Sequence, residues 1–389
     1  MTSLPSSREV ALLEAIHASA PMMVMEFSGA GAQSLWWLHS VAGSSRTVLE
    51  ATDRYTPNSL IEAVGFVPER FTSAEVASAL AHQAGDRAVK LAAAGTPTFG
   101  LGLTATIATD RVKRGEHRCE LAVQDHFGSK SYGLQLAKGE RDRAGEEALV
   151  SRLVIRAIAD ACGVLSAPAP ELLPGEELRR HLEPQGPAAE FMQGRRESLL
   201  VLPDGRIGEE LPHDAALLSG SFNPLHRGHL RLAQAAGDRL GVQVVFELPL
   251  VNADKAEIGL VEARRRATQF LGHAPVLLTR APLFSEKARL FRGRSFVVGI
   301  DTAARLLERR FYSSDERGSD EGRAAAMEEL RGSGARFLVA GRYRDGAFLT
   351  LSDLDVPEEA HGLFQALPEE AFREDLSSSE LRDRWSVRP

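Results

Sequence analysis

Short apolar runs separated by segments of helical periodicity recur along the second half of the chain. A helix is predicted at residues 260–271, where apolar positions recur every three to four residues. Continuous apolar runs are typical of parallel strands that are covered on both faces. The runs that predict strands are residues 215–218, 242–248, 276–279, 295–301 and 336–340. We therefore predict a doubly wound, Rossmann-like parallel sheet with sites at the carboxyl ends of its strands.

The first half alternates between the two patterns in the same way. Apolar runs predict strands, and capped amphipathic segments predict helices between them. The predicted strands are residues 22–27, 46–53, 98–106 and 117–124, and the predicted helices are residues 7–18, 33–41, 58–63, 73–94 and 139–161. Strands that alternate with helices indicate a second α/β domain.

The two halves are separated by a stretch of different composition. Residues 165–177 are rich in proline and acidic residues, which favours a linker. Residues 198–207 carry an Asp-Gly turn between two apolar arms, which predicts a hairpin. A length of 389 residues also favours two domains. We predict a first domain at 1–165, a linker with a hairpin at 166–212, and a second domain at 213–389.

Composition and charge narrow the possible classes of protein. The apolar content of 43% and charged content of 25% are those of a globular protein, and the net charge of −7 gives no chain-wide basic field for nucleic acid. Cys119 and Cys162 have no metal-site spacing and fit a reducing compartment. No apolar run approaches the roughly 20 residues that span a bilayer, and no signal peptide is evident. We expect a cytoplasmic protein without a membrane partner.

Residues 217–232 contain the clearest candidate functional residues in the chain. The apolar run ends in a glycine turn, and a helix is predicted to begin near His226. His229 lies three residues further on, so both imidazoles share one side of the first helical turn. Free amides at a helix start together with two titratable donors predict a phosphate site. The residues of the turn and helix start are Gly220, Ser221, Phe222, Asn223 and Gly228.

The segment Gly220-Ser-Phe-Asn-Pro-Leu-His-Arg-Gly-His229 resembles the signature of the HxGH nucleotidyltransferase superfamily. The resemblance implies that His226 and His229 are catalytic and that the turn and Gly228 bind the nucleotide. Residues 298–301 resemble the family's Gly-x-Asp segment, which implies that Asp301 contacts the nucleotide. Capping of the following helix is the alternative role of this carboxylate.

The end of the chain resembles the family's Ile-Ser-Ser-Thr-x-x-Arg motif at residues 375–382. This implies a nucleotide-binding role for Ser378 and Ser379 and a catalytic role for Arg382 at the β- and γ-phosphates. From the residues alone, Ser377-x-x-Glu380 is a capping box. Elsewhere, Lys255 follows a predicted strand and is a candidate contact for the acceptor phosphate, whereas Lys287 is predicted to lie on the surface of its helix.

Residues 7–165 resemble the CinA C-terminal domain, the nicotinamide-nucleotide amidohydrolase family. The resemblance rests on residues 26–31, 41–45, Tyr55 and the helix that starts at Ser73. Phe27 occupies the position of the family's nucleophilic serine, and Leu60 occupies the position of its activating lysine. A hydroxyl nucleophile needs a nearby base. We therefore expect no amidase activity here, but a domain kept for packing, ligand binding or self-association into a homo-oligomer.

Together the resemblances imply adenylyl transfer from ATP to a phosphorylated acceptor, with release of pyrophosphate. Nicotinamide or nicotinate mononucleotide is the expected acceptor, by resemblance alone. Mg²⁺ would accompany ATP, held mainly by phosphates and water, with no metal site in the protein itself. The alternatives are a non-catalytic sensor of pyridine nucleotides and an adenylyl- or cytidylyltransferase with another acceptor.

Overall fold

A computed structural model describes residues 5–111, 114–164, 167–251, 257–312, 319–344 and 347–373. The chain is an α/β protein that divides into two compact units. The first unit comprises residues 1–196, 202–207 and 268–273. The second unit comprises residues 197–201, 208–267 and 274–389.

The first unit is built on a six-stranded sheet with the order β2-β1-β3-β4-β5-β6. Its elements are α1 (Ser7–His17), β1 (Met22–Ser28), α2 (Ala32–Ser40), β2 (Val48–Asp53), α3 (Pro57–Val64), α4 (Ala74–Leu91), β3 (Thr98–Thr106), β4 (Arg118–Asp125), β5 (Gly128–Gln135), α5 (Arg143–Ala161), β6 (Glu177–Pro184) and α6 (Gly186–Met192). Strand β1 is parallel to β2 and β3, while β3 to β6 are antiparallel. The main core lies between this sheet and helices α1, α2 and α5.

The first unit extends beyond residue 165, where the composition had placed the start of a linker. Strand β6 pairs with β5 along its whole length and forms an edge of the sheet. Both strands escaped prediction because they are polar: β6 buries only Leu182, and β5 is rich in glycine and serine. Pairing of the backbone, rather than an apolar run, makes them strands.

The second sheet has eight strands in the order β16-β13-β12-β9-β10-β11-β7-β8. Its elements are β7 (Ser198–Val201), β8 (Ile207–Gly208), β9 (Ala216–Ser219), α7 (Arg227–Leu240), β10 (Val244–Pro249), α8 (Leu260–Thr268), β11 (Val276–Thr279), α9 (Phe284–Leu290), β12 (Ser295–Gly299), α10 (Ile300–Leu307), α11 (Asp320–Gly332), β13 (Arg336–Ala340), β14 (Arg342–Arg344), β15 (Ala347–Leu349) and β16 (Phe364–Leu367). The predicted hairpin is confirmed, with its turn closed between Leu202 and Arg206.

The direction of chain progression reverses at strand β9. From β9 the chain moves outward through β10 and β11, and it then returns to β12 on the other side of β9. Strands β9 to β13 and β16 are parallel, and β7 adds an antiparallel edge. The predicted doubly wound sheet is thus confirmed, and its switch point lies between the carboxyl ends of β9 and β12.

A buried ion pair lies within the second sheet and the helix that covers it. The Lys287 Nζ atom lies 2.7 Å from Glu247 Oε2, and both side chains are almost fully buried. Thr279 donates its hydroxyl to the other carboxylate oxygen, and the ammonium lies 4.8 Å from the centre of the Phe284 ring. The prediction that Lys287 lies on the surface is therefore wrong, because its partner carboxylate on β10 stabilises it in the core.

We expect Lys287→Met to lower the free energy of unfolding by about 3–5 kcal/mol, because it leaves the Glu247 carboxylate buried without its cation. Arg289→Met on the same helix is the matched control, since the Arg289–Glu329 pair is exposed and such pairs contribute about 0–1 kcal/mol. Urea unfolding followed by circular dichroism measures both changes. Equal stability of the two variants would contradict a structural role for the buried pair.

Candidate functional site

The segment from Gly220 to His229 connects β9 to α7 at the switch point of the second sheet. The Gly220 N–H donates to the carbonyl of Glu247 on the neighbouring strand at 3.0 Å. A Cβ atom at Gly220 would lie 2.7 Å from the Phe222 ring, so only glycine fits beneath that ring. Helix α7 begins at Arg227, and His226 is its N-cap. The turn therefore places the start of this helix at the carboxyl edge of the sheet.

Phe222 anchors this turn in the core of the second unit. Its φ of 43° lies in the left-handed region, which is strained for an aromatic residue. The ring is buried and makes edge-on contacts with Phe246 and His229, at centroid distances of 5.3 and 5.1 Å. Burial of the ring offsets the strain of the backbone. The Phe222 side chain thus points inward, away from solvent.

His226 and His229 form a stacked pair at the start of α7. Their ring centroids are 3.7 Å apart and their planes are inclined by 28°. The backbone N–H of His226 donates to His229 Nδ1 at 3.2 Å, so the neutral His229 imidazole carries its proton on Nε2. Burial, and secondarily the neighbouring His226, lowers the pKa of His229 to about 3. His229 is therefore a neutral hydrogen-bond donor at a helix N-terminus.

Two arginines of α8 bind the turn between β9 and α7. The sequence did not predict these contacts. Arg265 Nη2 donates to Asn223 Oδ1 at 2.8 Å, and Arg266 Nη1 donates to the carbonyl of Ser221 at 3.1 Å. Glu262 accepts from both guanidinium groups. Burial alone would raise the pKa of Glu262, but these hydrogen bonds and charges hold it below its ordinary value.

Asp301 lies at the same carboxyl edge, beyond strand β12. It is the second residue of α10, whose N-cap is Gly299 without a side-chain capping bond. Its Oδ2 atom instead accepts from Arg342 Nη1 at 2.6 Å, and both side chains are about half exposed. Side-chain capping by Asp301 is therefore not seen, and the carboxylate forms an ion pair at the rim of the switch point.

Some predicted site residues lie outside the part of the chain that the structure describes. These residues are Lys255, Ser378, Ser379 and Arg382. The described residues thus bring together the glycine turn, the histidine pair and Gly228 on one strand–turn–helix unit, with Asp301 beyond the adjacent parallel strand.

In the first unit, the positions aligned with the amidohydrolase motifs are buried in the core, form an ion pair or lie on the surface. Phe27 and Leu60 are both buried among apolar residues, so neither position offers a nucleophile or a base. Glu26 forms a two-pronged ion pair with Arg54, at 2.5 and 3.1 Å. Tyr55 is 69% exposed. These positions therefore contribute to the apolar core, to an ion pair and to the exposed surface of the unit.

A carboxylate of the first unit occupies the N-terminus of helix α2. Glu147 Oε1 accepts from the N–H groups of Gly31 and Gln33, at 2.9 and 3.0 Å. Burial, and then the charge of Glu147, raises the pKa of nearby Asp53. The positive end of the α2 dipole is thus neutralised by the unit's own side chain.

The described part of the chain shows neither a metal-ligand cluster nor a membrane-spanning helix. Within the described ranges, no group of three or more His, Cys, Asp or Glu side chains is arranged to hold a metal ion. Over the same residues, no helix has both the length and the apolar character to cross a bilayer.

Comparison with known proteins gives structural neighbours only. No protein-family model and no curated protein matches the sequence. A competence/damage-inducible protein from Agrobacterium tumefaciens is 19% identical with a TM-score of 0.33, over 41% of this chain and 97% of that chain. A CinA superfamily protein from Escherichia coli is 13% identical with a TM-score of 0.31, over 40% of this chain and 87% of that chain. A CinA superfamily protein from Klebsiella pneumoniae is 10% identical with a TM-score of 0.31, over 40% of this chain and 95% of that chain. At such scores the likeness transfers no activity.

We expect ¹⁵N NMR of the full chain to find His229 as the Nε2–H tautomer from pH 8 to pH 5, without a midpoint near 6.5, because its pKa is lowered to about 3. In the urea-unfolded chain the same residue should titrate near its ordinary value of about 6.5. The imidazole signals that are absent from the spectrum of the His229→Asn variant are those of His229.

The lowered pKa of His229 makes the free energy of unfolding depend on pH. As the pH falls from 6.5 toward 3, the unfolded chain takes up the proton before the folded chain does. The contribution of His229 to stability is complete above pH 6.5 and is lost on acidification, by at most about 1.4 kcal/mol per pH unit. A folded-state midpoint of His229 between pH 6 and 7 would contradict the neutral donor.

Proposed function

We propose that the second unit transfers the adenylyl group of ATP to a phosphorylated small molecule and releases pyrophosphate. The observation that carries the proposal is the stacked His226–His229 pair at the N-terminus of α7, directly after a glycine turn at a topological switch point. Ligands of doubly wound sheets bind at such a point. Helix amides and imidazole donors are suited to a polyphosphate.

The reaction needs positioning and charge stabilisation rather than a protein nucleophile. A phosphate oxygen of the acceptor attacks the α-phosphorus of ATP in line, and the bond from that phosphorus to the α,β-bridging oxygen breaks. The electron pair leaves with pyrophosphate. The Nε2–H group of His229 donates to the phosphate oxygens as charge builds, and the positive end of the α7 dipole stabilises the same anion.

A neutral His229 suits this role better than a charged one. Because its Nδ1 atom is held by the His226 backbone, the ring keeps one orientation and one tautomer. Its lowered pKa means that Nδ1 takes up no second proton at neutral pH, so the ring donates from Nε2 as a neutral group. Such a preorganised donor loses little energy to reorganisation during the reaction.

The remaining contacts of the nucleotide are proposed from the family resemblance. Ser378, Ser379 and Arg382 would bind the β- and γ-phosphates, and Asp301 would contact the nucleoside from its ion pair with Arg342. Mg²⁺ would enter with ATP, held by phosphates and water. When bound, it neutralises charge on the phosphates.

The acceptor is proposed as nicotinamide or nicotinate mononucleotide, with Lys255 as a contact for its phosphate. This choice rests on resemblance in both halves of the chain. A transferase with another acceptor, or with CTP, shares the same phosphate chemistry. A non-catalytic nucleotide sensor would use the same donors without turnover.

A pyrophosphate-release assay with ATP or CTP against a panel of phosphorylated acceptors tests the proposal. We expect release with ATP and a pyridine mononucleotide, and a loss of at least about 100-fold in turnover for His229→Ala, the cost typical of a lost oxyanion donor. His213→Ala is the matched control, because His213 is an exposed histidine of the second unit.

The possible results of the assay distinguish the proposed transferase from its alternatives. Turnover near wild type in His229→Ala would overturn the catalytic role of the pair. Nucleotide binding by calorimetry without pyrophosphate release from any acceptor would favour the sensor. Release with a different acceptor or with CTP would keep the transferase and replace its substrate.

A further inference from the structure

The first unit contains a cavity of about 560 Å³ that plays no part in the proposed reaction. It lies among helices α1, α2 and α5 and the segment of residues 168–173, which follows α5 and is hereafter the strap. A volume of this size is within the range of small-molecule sites, about 300–1,000 Å³. The residues that line it belong to this unit alone.

The floor of the cavity is apolar. It is formed by buried side chains of three helices, and the indole of Trp37 is 2% exposed. The Arg152 guanidinium lies over this indole, 5.8 Å from its centre. The apolar lining residues include Leu12, Leu13, Trp37, Leu149 and Ile155 of the helices and Leu172 and Leu173 of the strap. The two strap leucines are 39% and 36% exposed, so they offer a ligand body most of the accessible hydrocarbon surface.

Two of the lining arginines hold the strap. Arg141 pairs with Glu176 and donates to the Glu171 carbonyl at the strap. Arg156 pairs with Asp160 and donates to the Ala167 carbonyl just before the strap. These guanidinium groups are therefore occupied by the protein.

The other two lining arginines keep N–H groups for a ligand. Arg152 uses only Nε, on Glu9 at 3.0 Å, and its two terminal nitrogens have no hydrogen-bond partner among the described residues. Arg8 has no ion-pair or hydrogen-bond partner within the described ranges and is exposed. The mouth of an apolar cavity thus carries two guanidinium groups, from α1 and α5.

We propose that this cavity binds an organic carboxylate with an unbranched or aromatic apolar body, of the size of a medium-chain fatty acid. The body would lie against Leu172 and Leu173 of the strap, above the apolar floor, and Arg8 and Arg152 would bind the carboxylate in the fork geometry of guanidinium groups. A monoanion fits better than a phosphate dianion, because Glu9 and Glu171 also line the cavity. This site is independent of the reaction proposed for the second unit.

Isothermal titration of the full chain with decanoate, decanol and decyl phosphate tests the proposal. We expect decanoate to bind at least ten-fold more tightly than either of the others. Arg8→Met with Arg152→Met should weaken decanoate at least ten-fold and leave decanol unchanged. Arg87→Met, which removes an exposed arginine of α4, should change nothing. Thermal unfolding checks that each variant folds, and Arg8→Met alone, at an exposed position, gives a second variant.

The outcomes separate the proposal from its rivals. Absence of decanoate binding, or equal affinity for decanoate and decanol, would overturn it. Tighter binding of decyl phosphate would overturn the carboxylate and indicate a phosphate headgroup. An equal loss of affinity in Arg87→Met would show that the effect is one of net charge and not of this cavity.

Discussion

The second unit depends on how one buried carboxylate is satisfied. The backbone carbonyl of Glu247 accepts from Gly220, and its side chain accepts from Thr279 and Lys287. A buried charge without partners would be very costly, so the exit of β9, the ends of β10 and β11, and helix α9 are held together at this residue. Gly220, where the proposed catalytic turn begins, is therefore held in place by a residue of the sheet core.

The same turn is also held from the side and from within. Arg265 and Arg266 bind its polar groups, while the Phe222 ring packs over Gly220. The Nε2–H donor of His229 is thus supported by side chains that hold the turn in one conformation, as is typical of preorganised sites.

Local patterns were predictable from sequence, whereas long-range pairings were not. The apolar runs located the buried strands, and the spacing of His226 and His229 placed them on one side of a helix, because both depend on near neighbours. Lys287 was assigned to the surface because its partner is distant in sequence. Strand β6 was missed because edge pairing needs no apolar run. The contact of Arg265 with Asn223 likewise depends on a fold that periodicity cannot supply.

The Glu147 carboxylate on helix α2 has a consequence for what the first unit can bind. It is part of the same folded unit as the amides it contacts, so its effective concentration there is that of an intramolecular ligand, in the millimolar range or above. A free anion would have to displace it at that concentration. The N-terminus of α2 is therefore already occupied by an anionic side chain of its own unit.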